Sequence, residues 1–173
     1  MSAPRSLIDA EAISARVREL GAAIRRDHGD AEVVLVGVLK GSFVFLADLA
    51  RAIDGPVRIE MLAVRSYGAS TQSSGVVQIT MDLAASIENA HVVVVEDIVD
   101  TGLTMAYLLE LLDGRNPASL RLATLLHKPA RTQRSVAIDY LGFTIDDVFV
   151  VGYGLDHAER FRNLPYVGVL EEA

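Results

Sequence analysis

The sequence predicts an α/β protein, a mostly parallel twisted sheet flanked by helices, and three observations carry that prediction. Val92, Val93, Val94 and Val95 form an unbroken β-branched run, the pattern of a central strand buried on both faces of a parallel sheet. The plan of strand, short loop and helix occurs twice, from Glu32 to about Ile53 and again from Val92 to Leu112. The chain has 173 residues, 51% hydrophobic and 23% charged, which suits a single globular domain over 1–173 and is too short for two ordinary ones.

Taken in order, Ile13, Val17, Leu20 and Ile24 recur at helical spacing between charged residues, and Gly29 is a plausible stop, so an amphipathic helix is expected first. The segment EVVLVGVL, Glu32 to Leu39, is the first buried strand and runs through Lys40-Gly41-Ser42 into an apolar helix, Phe43 to about Ile53. A glycine beside a lysine at the end of a parallel strand suggests an anion site made of backbone amides. The plainer reading is a tight turn with Ser42 as N-cap. Val57 to Val64 and Val76 to Met81 read as strands, and the intervening RSYGASTQSSG is too long for a tight hairpin and rich in Gly and Ser. It is either a loose surface loop over about 66–75 or a lid.

Beyond the helix from Met105 to Leu112, Leu120 to Leu126 is a further apolar strand that enters His127-Lys128-Pro129-Ala130-Arg131. Taken alone, Lys128 reads as a solvated loop lysine. Asp147 to Gly152, DVFVVG, is expected as the last strand, with Phe149 a natural core aromatic.

The net charge of -7 argues against nonspecific nucleic-acid binding, which needs a counterion-releasing basic surface. With no cysteine, disulfides and thiolate metal sites are excluded. The four histidines lack metal-ligand spacing. The start, MSAPRSLIDAEAI, lacks the apolar core of a signal peptide, and no apolar run approaches the ~18 residues of a membrane span. A cytoplasmic protein with no membrane partner is the expectation.

The chemistry is concentrated in VVVVEDIVDTGLT, Val92 to Thr104. The valine run ends in Glu96 and Asp97, which should emerge at the carboxyl end of a central strand, where open α/β sheets place their ligands. Asp100, Thr101, Gly102, Leu103 and Thr104 then open a helix. A short loop containing glycine at a helix N-terminus turns several N–H groups toward one point and makes a phosphate cradle, to which the Thr101 and Thr104 hydroxyls add donors. No G-x-x-x-x-G-K-[ST] string occurs. Carboxylates beside a phosphate need another task, such as holding ribose hydroxyls or a divalent cation, and a ribose 5-phosphate satisfies both halves of the motif.

Two acids and D-T-G-x-T after a valine-rich strand resemble the phosphoribosyl pyrophosphate motif of the type I phosphoribosyltransferases. The ordered set LKGS, RSY, VEDIVDTGLT, LLHKPAR and VFVVGYGLDHAERFRNLP, over roughly residues 33 to 170, resembles the 6-oxopurine phosphoribosyltransferases of the hypoxanthine-guanine type. The resemblance implies that family's fold, with a small hood from the N-terminal and C-terminal segments, and a dimer or tetramer. It assigns Glu96 and Asp97 to the ribose hydroxyls, directly or through Mg2+, and Asp100 to Thr104 to the 5-phosphate. Lys40 and Gly41 would bind pyrophosphate, in a family where the peptide bond before the lysine is often cis. Ser66 and Tyr67 would begin a closing loop. Lys128 would donate to the purine 6-oxygen, Phe149 would stack on the base, and the Val150 backbone would read its edge. Asp156 would sit at a second Mg2+ beside the purine, and Arg162 would meet pyrophosphate. Asp100 is the candidate to take or hold the proton at purine N7. Leu103 stands where some relatives carry a lysine. Rival readings are a xanthine-preferring enzyme and an RNA-binding regulator on the same fold, the latter disfavoured by the acidic balance.

Overall fold

A computed structural model describes residues 3–66 and 77–170. Strand β1 (Arg5–Ile8) leads into helix α1 (Ala10–His28), where Asp9 caps the first turn by accepting from the Ala12 N–H at 2.8 Å. Ile13, Val17, Leu20 and Ile24 are all buried, as their spacing predicts. Each contributes about 1.5–3 kcal/mol by leaving water. Strand β2 (Val33–Leu39) and helix α2 (Phe43–Ala52) follow, then β3 (Val57–Ser66), β4 (Val77–Met81) and β5 (His91–Val99). Helix α3 (Leu103–Asp113), β6 (Ser119–His127), β7 (Tyr140–Thr144), β8 (Val150–Val151) and β9 (Val167–Val169) complete the order.

Six strands form one sheet in the order β4-β3-β2-β5-β6-β7, parallel throughout except for β4. β5 is central, and Val92 to Val95 are fully buried. Their side chains alternate between two cores: Val93 and Val95 pack toward α1 and α2, Val92 and Val94 toward α3. The remaining strands form a small antiparallel sheet in the order β1-β9-β8, joining the two ends of the chain.

Several expectations change. β5 runs through Glu96 and Asp97 to Val99, because Glu96 still pairs with Thr124 and Ile98 with Leu126 of β6. Pairing with β2 has already stopped at Gly37–Val95, so the two acids sit in the strand yet beyond the reach of β2. The strand expected over Asp147 to Gly152 shrinks to Val150–Val151: at its start the Val148 N–H turns back to the Asp146 carbonyl at 2.8 Å, and at its end Gly152 and Tyr153 both take positive φ (96° and 49°) and turn the chain. Ser42 makes no side-chain cap; its hydroxyl donates back to the Val38 carbonyl at 2.6 Å. Short β1, β7 and β9 carry no apolar run long enough to announce them. Ser66 ends β3, while Tyr67 and the rest of the expected loop to 75 lie outside the described residues.

Candidate active site

The loops after β2, β5 and β6 leave the sheet at one edge and meet there. The Leu39–Lys40 peptide is cis, and Gly41 sits so close to Asp97 that a Cβ would fall 1.6 Å from Asp97 Oδ2. Only glycine leaves room for that carboxylate. The β5 loop is braced from β6: the Gln133 and Arg134 N–H groups donate to the Thr101 carbonyl at 2.9 and 3.0 Å. Gly102 adopts φ 80°, a left-handed conformation in which a Cβ would meet the Arg134 carbonyl at 2.0 Å, so the turn into α3 demands glycine. Neither Asp97 nor Asp100 caps α3; Gly102 stands at that position without a side-chain cap bond. The first-turn N–H groups of a helix have no intrahelical partner. Here they border a concavity of about 90 Å³ lined by Glu96, Ile98, Val99, Asp100, Thr101, Gly102, Thr104 and Met105.

Glu96 and Asp97 are adjacent and partly buried. The Asp97 N–H donates to Glu96 Oε1 at 3.1 Å and the Ile98 N–H to Asp97 Oδ1 at 2.8 Å. Burial, with the Asp97 charge added, holds the Glu96 carboxyl well above the usual glutamate range. Two crowded hard-oxygen groups fit a divalent cation or a pair of ribose hydroxyls, either of which would relieve the repulsion. Among the described residues there is no group of three or more His, Cys, Asp or Glu that could hold a metal. Asp156 fits a second cation less directly. Its Oδ1 pairs with Arg162 Nη2 at 2.7 Å and its Oδ2 accepts the Glu159 N–H at 2.8 Å.

At the other end of the edge, Lys128 follows β6 and its N–H donates to the Val99 carbonyl at 3.0 Å. It is buried, only 7% exposed, with Asp147 Oδ1 3.7 Å from its Nζ; the reading of a solvated loop lysine does not hold. Phe149 reverses its expectation too. Far from being a core aromatic, it is 55% exposed, its ring packed edge-on against His157 at 5.4 Å. The Leu170 N–H donates to the Phe149 carbonyl at 3.3 Å, so Val150 falls at the alternate, non-hydrogen-bonded position opposite Val169. Because β8 is an edge strand, the Val150 N–H and C=O face its open side.

The segment beyond β8 closes back on the β2 loop. A Cβ on Gly154, which has φ 101°, would meet the Gly41 carbonyl oxygen at 2.1 Å. Arg162 donates to the Gly154 carbonyl at 2.7 Å. Lys40 and Arg162 both approach Glu159, at 3.3 and 3.6 Å. Sequence reasoning gave no role to Glu159, nor to Arg131, whose Nε lies 2.7 Å from Asp100 Oδ1. The HKPAR string contains Arg131, and its position four residues past the strand was the available signal.

This arrangement matches known proteins over nearly the whole chain. Residues 5–158 match the phosphoribosyl transferase domain family. A hypoxanthine-guanine phosphoribosyltransferase of Dictyostelium discoideum is 52% identical over 164 residues, 92% of this chain and 91% of that protein. A hypoxanthine phosphoribosyltransferase structure from Staphylococcus aureus superposes with TM-score 0.94 at 45% identity, covering 96% of this chain and 91% of that one. A Trypanosoma cruzi hypoxanthine phosphoribosyl transferase, studied for the role of its C-terminal region in oligomeric state and activity, gives TM-score 0.92 at 41% identity, with 96% and 91% covered. The chain therefore belongs to the phosphoribosyl transferase domain family, and within it to the hypoxanthine-guanine phosphoribosyltransferases.

Proposed function

We propose that this chain transfers the phosphoribosyl group of 5-phosphoribosyl 1-pyrophosphate to hypoxanthine and/or guanine, giving IMP and/or GMP and pyrophosphate, a purine salvage reaction. The observation that carries the reading is the meeting of an anion cradle and a carboxylate pair at the carboxyl end of β5 with a buried lysine at the end of the neighbouring strand β6.

The cradle from Asp100 to Thr104 holds the 5-phosphate, and Leu103 contributes its backbone. Glu96 and Asp97 hold the ribose hydroxyls and Mg2+, which when bound supplies positive charge to the departing pyrophosphate. Lys40, the Gly41 backbone and Arg162 bind the pyrophosphate and stabilise charge as it develops. For this they must exchange Glu159 for substrate oxygens. Phe149 stacks on the base, and the open backbone of Val150 reads its edge. Lys128 has donors only, so it suits a 6-oxo group and not the 6-amino group of adenine. Asp100, next to the cradle, accepts or holds the N7 proton as the purine nitrogen attacks C1. Asp156 holds Arg162 and would serve a second cation only by sharing that carboxylate. Ser66 and Tyr67 are given no role in this proposal, Tyr67 lying outside the described residues.

A homodimer or homotetramer is part of the same proposal. Ile59 and Met61 of β3 and Met81 of β4 are exposed, and β-register puts them on one face of the sheet. Helices α1 and α2 pack on that side over more central strands, which leaves an apolar strip for a second copy.

A steady-state assay with 5-phosphoribosyl 1-pyrophosphate and Mg2+, offering hypoxanthine, guanine, xanthine and adenine separately, tests the reading. Nucleotide formation from hypoxanthine or guanine without adenine is expected. Binding of 5-phosphoribosyl 1-pyrophosphate with no turnover of any base would favour a non-catalytic regulator, and a preference for xanthine would shift the substrate.

A further inference from the structure

Tyr153 follows the purine-side residues Phe149 and Val150, but its phenol is directed elsewhere. The side chain is buried, and its hydroxyl donates to Asp48 Oδ2 at 2.6 Å. Asp48 is on α2, the helix that grows directly out of the Lys40–Gly41 loop. The bond therefore spans the two halves of the site, 105 residues apart in sequence. Tyr153 has φ 49°, a left-handed conformation that a bulky residue keeps only where its surroundings over-determine it. Here its N–H donates to the Leu164 carbonyl at 2.9 Å while the phenol is tied to α2. The next residue, Gly154, lies directly on the Gly41 carbonyl. Burial, with the Asp48 carboxylate facing it, pushes the Tyr153 phenol far up, so it stays a donor at any working pH.

We propose that Asp48 and Tyr153 form a positioning pair that fixes the purine-binding segment 149–156 against the pyrophosphate loop, so that attacking base and departing pyrophosphate keep their separation across C1. The inference rests on the subsite assignment made under the proposed function. A cavity of about 470 Å³, walled by Phe43, Val44, Asp48, Tyr153, Arg162 and Leu164 among others, adjoins the pair. Cutting the bond thus leaves the segment room to shift. Displacements of that kind, on the order of 1 Å at a reacting centre, cost rate rather than binding.

The test compares Tyr153→Phe, Asp48→Ala and Asp48→Asn in the full chain. Tyr153→Phe and Asp48→Ala should each lower kcat roughly tenfold, with the KM for 5-phosphoribosyl 1-pyrophosphate within about twofold of wild type. Asp48→Asn keeps an acceptor and should recover most of kcat. Lower melting temperatures with wild-type kcat well below the transition, or equal losses in Asp48→Asn and Asp48→Ala, would overturn the proposal. If Tyr153→Phe fails to fold, the two Asp48 variants decide the matter by the same criteria. Lys40→Ala is measured alongside. An unchanged KM for 5-phosphoribosyl 1-pyrophosphate there would overturn the subsite assignment itself, whatever the Asp48 variants do.

Discussion

Asp100 and Glu96 are acids four residues apart in one stretch, and their surroundings give them different work. Asp100 lines the cradle with Arg131 beside it, and the proposed reaction gives it the proton on the base. Asp100→Asn should lower kcat by about 100-fold or more, the scale of general acid–base catalysis, while the dissociation constant for 5-phosphoribosyl 1-pyrophosphate moves only a few-fold. Pre-steady-state kinetics with direct binding measurements separate the two, and equal losses would remove the role. Glu96 is crowded by Asp97 and burial, and its folded-state pKa lies above the ordinary 4.5. Above that ordinary value the unfolded chain releases the proton sooner than the folded one, so folding stability falls as pH rises toward the folded pKa. Glu96→Gln removes this loss. In ligand-free protein it should raise the melting temperature at neutral pH, and the gain should disappear below about pH 4. A gain independent of pH would mean that the Glu96 charge costs nothing.

Among the elements, the turn from β5 into α3 bears the tightest constraint. Gly102 combines a left-handed φ with contact to the Arg134 carbonyl, so Gly102→Ala adds a conformational cost of about 1–2 kcal/mol and forces the 128–134 loop away. The expected result is a lower denaturant midpoint together with at least a tenfold higher KM for 5-phosphoribosyl 1-pyrophosphate, read by urea unfolding and steady-state kinetics. A normal KM would show that the cradle tolerates the shift. Elements of this kind were the legible ones. The valine run, the acids and the glycine turn are local in sequence, and strand, loop and helix follow from them with no knowledge of tertiary contacts. Phe149 and Lys128 were not legible from periodicity, because their exposure is decided by neighbours far along the chain. Phe149 lies just ahead of the two-residue edge strand β8 and is exposed, and the Lys128 side chain is buried with Asp147 beside it instead of reaching solvent. Only the family resemblance gave those two residues roles. The side-chain partners of Asp100 and Tyr153, Arg131 and Asp48, likewise come from other elements, and no spacing rule reaches them.

For the whole molecule, the uncovered side of β3 and β4 is the feature left unexplained by a single chain. Ile59, Met61 and Met81 are between 41% and 47% exposed, a clustering uncommon on monomers. If a second copy covers them, Ile59→Glu with Met61→Glu should shift the protein to monomer in sedimentation velocity at micromolar concentration. An unchanged assembly would move the interface elsewhere. No described helix is long and apolar enough to cross a membrane.

In the proposed reaction a buried lysine at the end of β6, Lys128, reads a 6-oxo group. The sharpest test of that role is the ratio of kcat/KM for hypoxanthine over adenine in wild type and in Lys128→Gln. A hydrogen bond from a charged donor is worth about 1.5–3 kcal/mol, so the wild-type preference should be large. The glutamine, able to accept as well as donate, should shrink it by roughly 10- to 100-fold, mainly through loss of hypoxanthine activity. A preference that survives the substitution unchanged would contradict the assignment of Lys128 and return the origin of base selectivity to other groups of the site.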